Sequence, residues 1–146
     1  MEDKTMANLK LIQVDERPVK INSLRELTEE DKATLQIRMQ LILQYRDETD
    51  MVGLQMDIAY IVSESDLILH YQALCVVEND EWLSFMAGNP KEDAIKTYSG
   101  EMFDMVLGYA RSSIAKNTAG TALSELYLPV FNREQYTKTV NIVKVD

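Results

Sequence analysis

Cysteine, histidine and tryptophan occur once each in this 146-residue chain, as Cys75, His70 and Trp82, and there are only three prolines and five glycines. A single cysteine excludes an intramolecular disulfide and agrees with a reducing compartment. There is no H-E-x-x-H and no paired C-x-x-C, so neither common zinc signature is present. The glycines form no phosphate-binding loop. "YSGE" at 98–101 comes nearest to a G-x-S-x-G nucleophile elbow but lacks the first glycine. No Pro/Gly-rich linker, internal repeat or low-complexity tract interrupts the chain. Basic residues are short as well: 15 Lys and Arg stand against 24 Asp and Glu, a formal net charge of -9. That balance argues against a nucleic-acid partner, because such affinity comes largely from Lys and Arg displacing counterions. It suits solubility or a basic protein partner. No apolar run approaches a membrane span, and "MEDKTMANLK" leads into no hydrophobic stretch, so neither membrane insertion nor export is expected and the expected location is the cytoplasm.

The chain does have enough apolar material for a core. It is 46% hydrophobic and 27% charged, a globular composition whose length suits one domain spanning residues 1–146. In "TLQIRMQLILQY", Leu35, Ile37, Met39, Leu41, Leu43 and Tyr45 share one face, and Gln36, Arg38, Gln40 and Gln44 the other. This period of two predicts a half-buried strand. After the polar turn "RDETD" the alternation returns with Leu54, Met56, Ile58, Tyr60 and Val62, a hairpin partner. "SESD" then turns the chain into "LILHYQALCVV", with Leu67, Leu69, Tyr71, Ala73, Cys75 and Val77 on one face. "WLSFM", after "NDE", is a short fourth strand candidate. "LKLIQV" and "PVKIN" are weaker ones, with Pro18 marking a turn or an edge.

Helical grammar occupies the rest. "SLRELTEEDKA" carries a capping box, Ser23 with Glu26, and predicts a short acidic helix or an ordered crossover. "KEDAIKTY" reads as helix, Ser99-Gly100 as an interruption, and "EMFDMVLGYARSSIAKNTAG" as a longer helix closed at Gly120. That helix has two apolar seams. Phe103, Leu107, Ala110 and Ile114 suit packing on the sheet; Met102, Val106, Tyr109 and Ser113 form a neighbouring stripe. Contiguous apolar surface on a soluble domain usually marks a contact, so Met102, Val106 and Tyr109 are assigned to a subunit interface. "REQYTKTVNIVK" reads as a shorter last helix, weakened by its β-branched residues. The class is α+β: an antiparallel four-stranded meander with the long helix and the shorter C-terminal helix packed on one face.

The connector "SELYLPVFN" is unusual, since Leu126 to Phe131 are greasy without helical spacing while connectors are ordinarily polar. With three other features it gives the chain a likeness to a known family. "SELYLPVFN" resembles the Leu-x-Leu-x-Pro-Val-Asn-Phe type connector of the SecB protein-export chaperones, with Leu128, Pro129 and Val130 in matching places and the Phe-Asn order inverted. "GYARSSI" resembles the Tyr-Ala-Arg stretch of that family's long helix at Tyr109, Ala110 and Arg111. "ALCVV" resembles the Leu-Cys pair of its meander at Leu74-Cys75, and "KLIQVDERPVKIN" its first edge strand. The likeness covers roughly residues 9 to 144 in order of elements.

What the resemblance implies is a cytoplasmic homotetramer, a dimer of dimers, that binds unfolded polypeptides in long hydrophobic grooves and uses no nucleotide, metal or other cofactor. The connector and the last helix would wall the groove. Leu128, Val130, Phe131, Tyr136 and Val140, facing Leu35, Ile37 and Met39, would line the client-binding surface, the other face of that first long strand packing the helices. In the family an acidic residue after the Leu-Cys pair helps dock the export motor SecA. Val76 stands there here, with Glu78, Asp80 and Glu81 further along, which counts against SecA as a partner. The acidic segment 23–33 also departs from the family's extended, aromatic crossover.

Plainer readings stand beside these. His70, in a strand, reads as structural rather than catalytic or metal-binding, and Cys75 as a buried inert thiol. Tyr109 is either core or contact, Arg111 a helix-dipole partner, "TEEDK" a solvated face, and the connector either client-binding or a loop tucked under a helix. Three functions follow: a SecB-like holdase; a dedicated adaptor for one protein partner, of the antitoxin-associated or phage-encoded kind; and, last, an enzyme lacking any recognisable motif. No catalytic residue is assigned.

Overall fold

The structure, a computed structural model, describes residues 9–21, 26–125 and 139–145. In chain order the elements are β1 (Leu9–Glu16), β2 (Lys20–Ile21), α1 (Glu29–Thr34), β3 (Gln36–Tyr45), β4 (Met51–Val62), β5 (Asp66–Asn79), α2 (Trp82–Ala87), α3 (Glu92–Thr118), a 3-10 turn (Ala122–Glu125) and β6 (Asn141–Lys144). The strands form one open sheet in the order β1-β5-β4-β3-β6, with β2 also on β5. All pairs are antiparallel except β3–β6, which is parallel. The class is therefore α+β with a mixed, mostly antiparallel sheet.

The period-two segments become β3, β4 and β5 because alternation lets each strand bury one face and wet the other. In β4, Val52, Leu54, Met56, Ile58, Tyr60 and Val62 are all buried while the residues between them are only half covered. β5 repeats the pattern from Tyr71 through Ala73 and Cys75 to Val77. α3 lies over β4 and β5 and closes the core with Met102, Phe103, Val106, Leu107, Ala110 and Ile114.

Four expectations about the fold are corrected. Among the described residues the sheet has six strands, not four. "WLSFM" is helix rather than strand: Trp82 is buried and Phe85 and Met86 half-buried at i+3 and i+4, a helical spacing, and none of the five residues is β-branched. Ser99-Gly100 does not interrupt α3, which runs unbroken from Glu92 to Thr118. Both residues are buried, and Ser99 Oγ donates to the Lys96 carbonyl at 2.9 Å within the helix. Burial of that face outweighs the roughly 1 kcal/mol that glycine costs a helix. Finally, residues 141–144 of the expected last helix form β6, in agreement with the β-branched Ile142 and Val143.

Other expectations hold with shifted edges. α1 begins within the acidic segment and ends one residue beyond it, and its capping box is Thr28 with Asp31: the Asp31 N–H donates to Thr28 Oγ1 and the Thr28 N–H to Asp31 Oδ2, each at 3.0 Å. Ser23 lies outside the described residues. α3 ends at Thr118 and the chain turns through Gly120, whose φ of +78° suits glycine.

Candidate client-binding surface

Leu35, Ile37 and Met39 sit at and just before the start of β3, half-buried against the edge of the core. Ile37 pairs with Tyr60 and Met39 with Ile58 on β4, both core residues. The face carrying Leu35, Ile37 and Met39 is thus the face that packs the helices, and the expectation that helices occupy the strand's other side is corrected. That other side presents Gln36, Arg38 and Gln40, all exposed. The physical reason is continuity: Leu41 and Leu43 follow in the same period and are fully buried, so the whole row must turn inward. The α1 end of this region is tied to the β4–β5 turn by the Ser63 N–H, which donates to Thr34 Oγ1 at 2.9 Å.

Val140, assigned to the same surface, is only 1% exposed and belongs to the core. Leu128, Val130, Phe131 and Tyr136 lie outside the described residues. Of the residues assigned to a subunit interface, Met102 and Val106 are both 0% exposed within the chain itself, while Tyr109 is 39% exposed. Met102 and Val106 of the second seam therefore join the first in one buried face, and Tyr109 stands outside it. The fourth member of the second seam, Ser113, makes a polar contact: its hydroxyl donates to Glu16 Oε2.

The same Glu16 oxygen accepts from the Tyr71 hydroxyl at 2.7 Å, so one carboxylate joins the end of β1 to β5 and α3. Burial first, then the hydrogen bond and charge of Glu16, raise the Tyr71 phenol well above its ordinary value. Burial likewise pushes the Tyr60 phenol up to about 12 against the opposing charge of Arg111. The Cys75 thiol is free and buried, pushed up to about 11 by desolvation with Glu16 and Asp15 adding to it. A thiol so held is protonated at neutral pH and a poor nucleophile. His70 lies on the outer sheet face, its Nε2 3.8 Å from Asp57 Oδ1. Among the described residues no group of His, Cys, Asp and Glu is placed to hold a metal ion, and no helix is long and apolar enough to cross a membrane.

Sequence reasoning missed one cavity. Between the β3–β4 turn and α2 lies an open pocket of about 510 Å³. Its walls are Tyr45, Trp82, Leu83, Met86 and Ala87, and Arg46, Asp47 and Glu48 line its turn side. Trp82 anchors a cluster behind it, with ring centroids 6.0 Å from Tyr45 and from Phe85 and 5.9 Å from Tyr98. Phe85 and Tyr98 stack at 4.0 Å. Burial, with Glu81 the next largest cause, raises the Tyr98 phenol above its ordinary value. The spacing of Trp82, Phe85 and Met86 was the available signal, hidden by the strand reading of "WLSFM".

The SecB likeness rests on the sequence features that suggested it: no family model matches this chain, and neither does any curated protein or any solved structure.

Proposed function

We propose that the chain is an ATP-independent, SecB-like holdase that binds unfolded or non-native polypeptides on an apolar surface. The observation that carries this reading is the row Leu35, Ile37 and Met39. α3 lies over β4 and β5, and these three apolar side chains, at and just before the start of the neighbouring strand β3, are half-buried rather than sealed. The proposed surface takes in, besides these, Leu128, Val130 and Phe131 of the apolar connector, with Tyr136. The order β1-β5-β4-β3 with a long helix on one face supports a SecB-like arrangement, to which β2, α2 and β6 are additions. Assembly into a cytoplasmic homo-oligomer, a dimer of dimers, belongs to the same proposal, and the exposed aromatic side chain of Tyr109 on α3 supports it.

The test is suppression of aggregation of a chemically unfolded test protein, without nucleotide. The wild-type chain should suppress light scattering at near-stoichiometric ratios. Phe131→Ser with Tyr136→Ser, and separately Ile37→Gln with Met39→Gln, should weaken suppression while a cooperative melt persists. A wild-type chain that leaves aggregation unchanged sinks the proposal.

A further inference from the structure

The pocket at the far end of β3 has features of a docking site. Its walls are apolar, yet Leu83 on its α2 side is 40% exposed, and an apolar side chain left in water beside an open pocket gains free energy when covered. The segments that frame it are rich in carboxylates. Asp47 and Glu48 line it, Asp50 holds the start of α2 by accepting from the Leu83 N–H at 3.1 Å, and Asp80 and Glu81 lead into that helix. Against them stand Arg46 and Lys144, the latter paired with Asp47 at 2.5 Å. This end of the molecule therefore combines a greasy pocket with a negative surround, on a chain whose net charge is already -9.

We propose that this pocket docks a basic peptide segment of a partner protein. One large apolar side chain enters between Leu83 and Met86, and lysines or arginines beside it meet Glu48 and the neighbouring carboxylates. Volume and charge agree with that occupant: 510 Å³ lies within the range of ordinary ligand pockets and leaves room for a large apolar side chain, and acidic surfaces recruit and orient cationic partners. An acidic apolar segment would fit the walls but be repelled, and a neutral one would gain nothing from the surrounding charge. The site is separate from the surface proposed for clients. Leu35, just before β3, and Tyr45, at its far end, are roughly 30 Å apart at the usual rise per residue, so the proposal stands whether or not the chain is a holdase.

Trp82, the only tryptophan of the chain, lines the pocket and reports its occupancy. A tryptophan-free peptide with one phenylalanine between pairs of lysines is titrated into the full chain while Trp82 emission is followed. Anisotropy of a fluorescein-labelled copy measures total binding. Saturable binding with a change in Trp82 emission is expected. Leu83→Glu, Glu48→Lys, and a rise from about 0.05 M to about 0.5 M salt should each weaken it by about tenfold. The peptide with alanine for phenylalanine should not saturate. If Leu83→Glu loses its folded circular dichroism spectrum, Leu83→Ala makes the same comparison. No binding overturns the proposal. So does binding without a Trp82 response, which places the peptide elsewhere, or equal affinity for the alanine peptide, which reduces the effect to bulk charge attraction.

Discussion

Replacing Val106 by glutamate separates a residue of the chain's own core from one on a subunit surface. Val106 is fully buried in the single chain, in the core cluster where α3 meets the sheet. Losing a fully buried valine side chain removes roughly 1.5–3 kcal/mol of transfer free energy. Placing a carboxylate there adds at least several kcal/mol, whether it ionises unpaired or is held protonated. The total, roughly 5 kcal/mol or more, rivals the 5–15 kcal/mol that holds an ordinary domain together. Val106→Glu should therefore lose its cooperative thermal transition, followed by circular dichroism, or melt far below the wild type. Val106→Ala sets the scale. It deletes two carbons, costs about 2 kcal/mol with the cavity included, and should lower Tm by about 4–8 °C for a chain of this size. Native mass by light scattering accompanies both melts. A Val106→Glu chain that melts like the wild type but has a smaller native mass would refute the reasoning and return Val106 to an interface.

Other expectations follow from the same structure. Stability should fall in alkali: Cys75 is raised from 9.0 to about 11 and Tyr60 from 10.0 to about 12. Raised acids contribute stability that is complete below their unfolded values and is lost as pH climbs toward the folded ones. Urea unfolding between pH 8 and pH 12 should show the decline beginning near pH 9, and Cys75→Ala should remove its first part; a flat profile would contradict the burial of these groups. Trp82→Ala should cost about 3–5 kcal/mol, since it empties the centre of the Tyr45, Phe85 and Tyr98 cluster, and chemical denaturation measures it. Gly120→Ala should cost about 1 kcal/mol from its positive φ alone, a loss that denaturant midpoints can resolve.

How much of this was legible depends on where the information lies. β3, β4 and β5 could be read because alternation is local and each strand is long enough to repeat it. α3 could be read because its buried seam recurs over many turns, but the apparent break at Ser99-Gly100 vanished once tertiary burial was added to local propensity. α2 was misread because six residues hold less than two helical turns, too few for periodicity to outvote the aromatic, strand-like composition of "WLSFM". β6 was misread because a four-residue parallel strand is defined by its distant partner. At the candidate site, alternation correctly grouped Leu35, Ile37 and Met39 with Leu41 and Leu43, while the side of the sheet bearing the helices was beyond local pattern. Val140 joined the core instead of the surface because of the strand that follows it, and the pocket escaped notice because it exists only where a turn and a helix from different parts of the chain meet.

The parallel β3–β6 pair has a consequence for how the chain comes to be folded. Ile42 pairs with Asn141 and Tyr45 with Lys144, partners separated by about a hundred residues. The β3–β4–β5 meander needs only short loops to close and can assemble early, but the outer rim of β3 has to wait for a segment about a hundred residues further along the chain. For that interval a long, regular row of backbone N–H and C=O groups is open to any extended chain that collides with it, the situation in which nascent proteins pair wrongly with one another. Arrival of β6, which covers Ile42–Tyr45 of that rim, is thus expected to come late and to shorten the exposed row, and lesions in Asn141–Lys144 should show themselves first as poor yield of soluble protein rather than as a large loss of equilibrium stability.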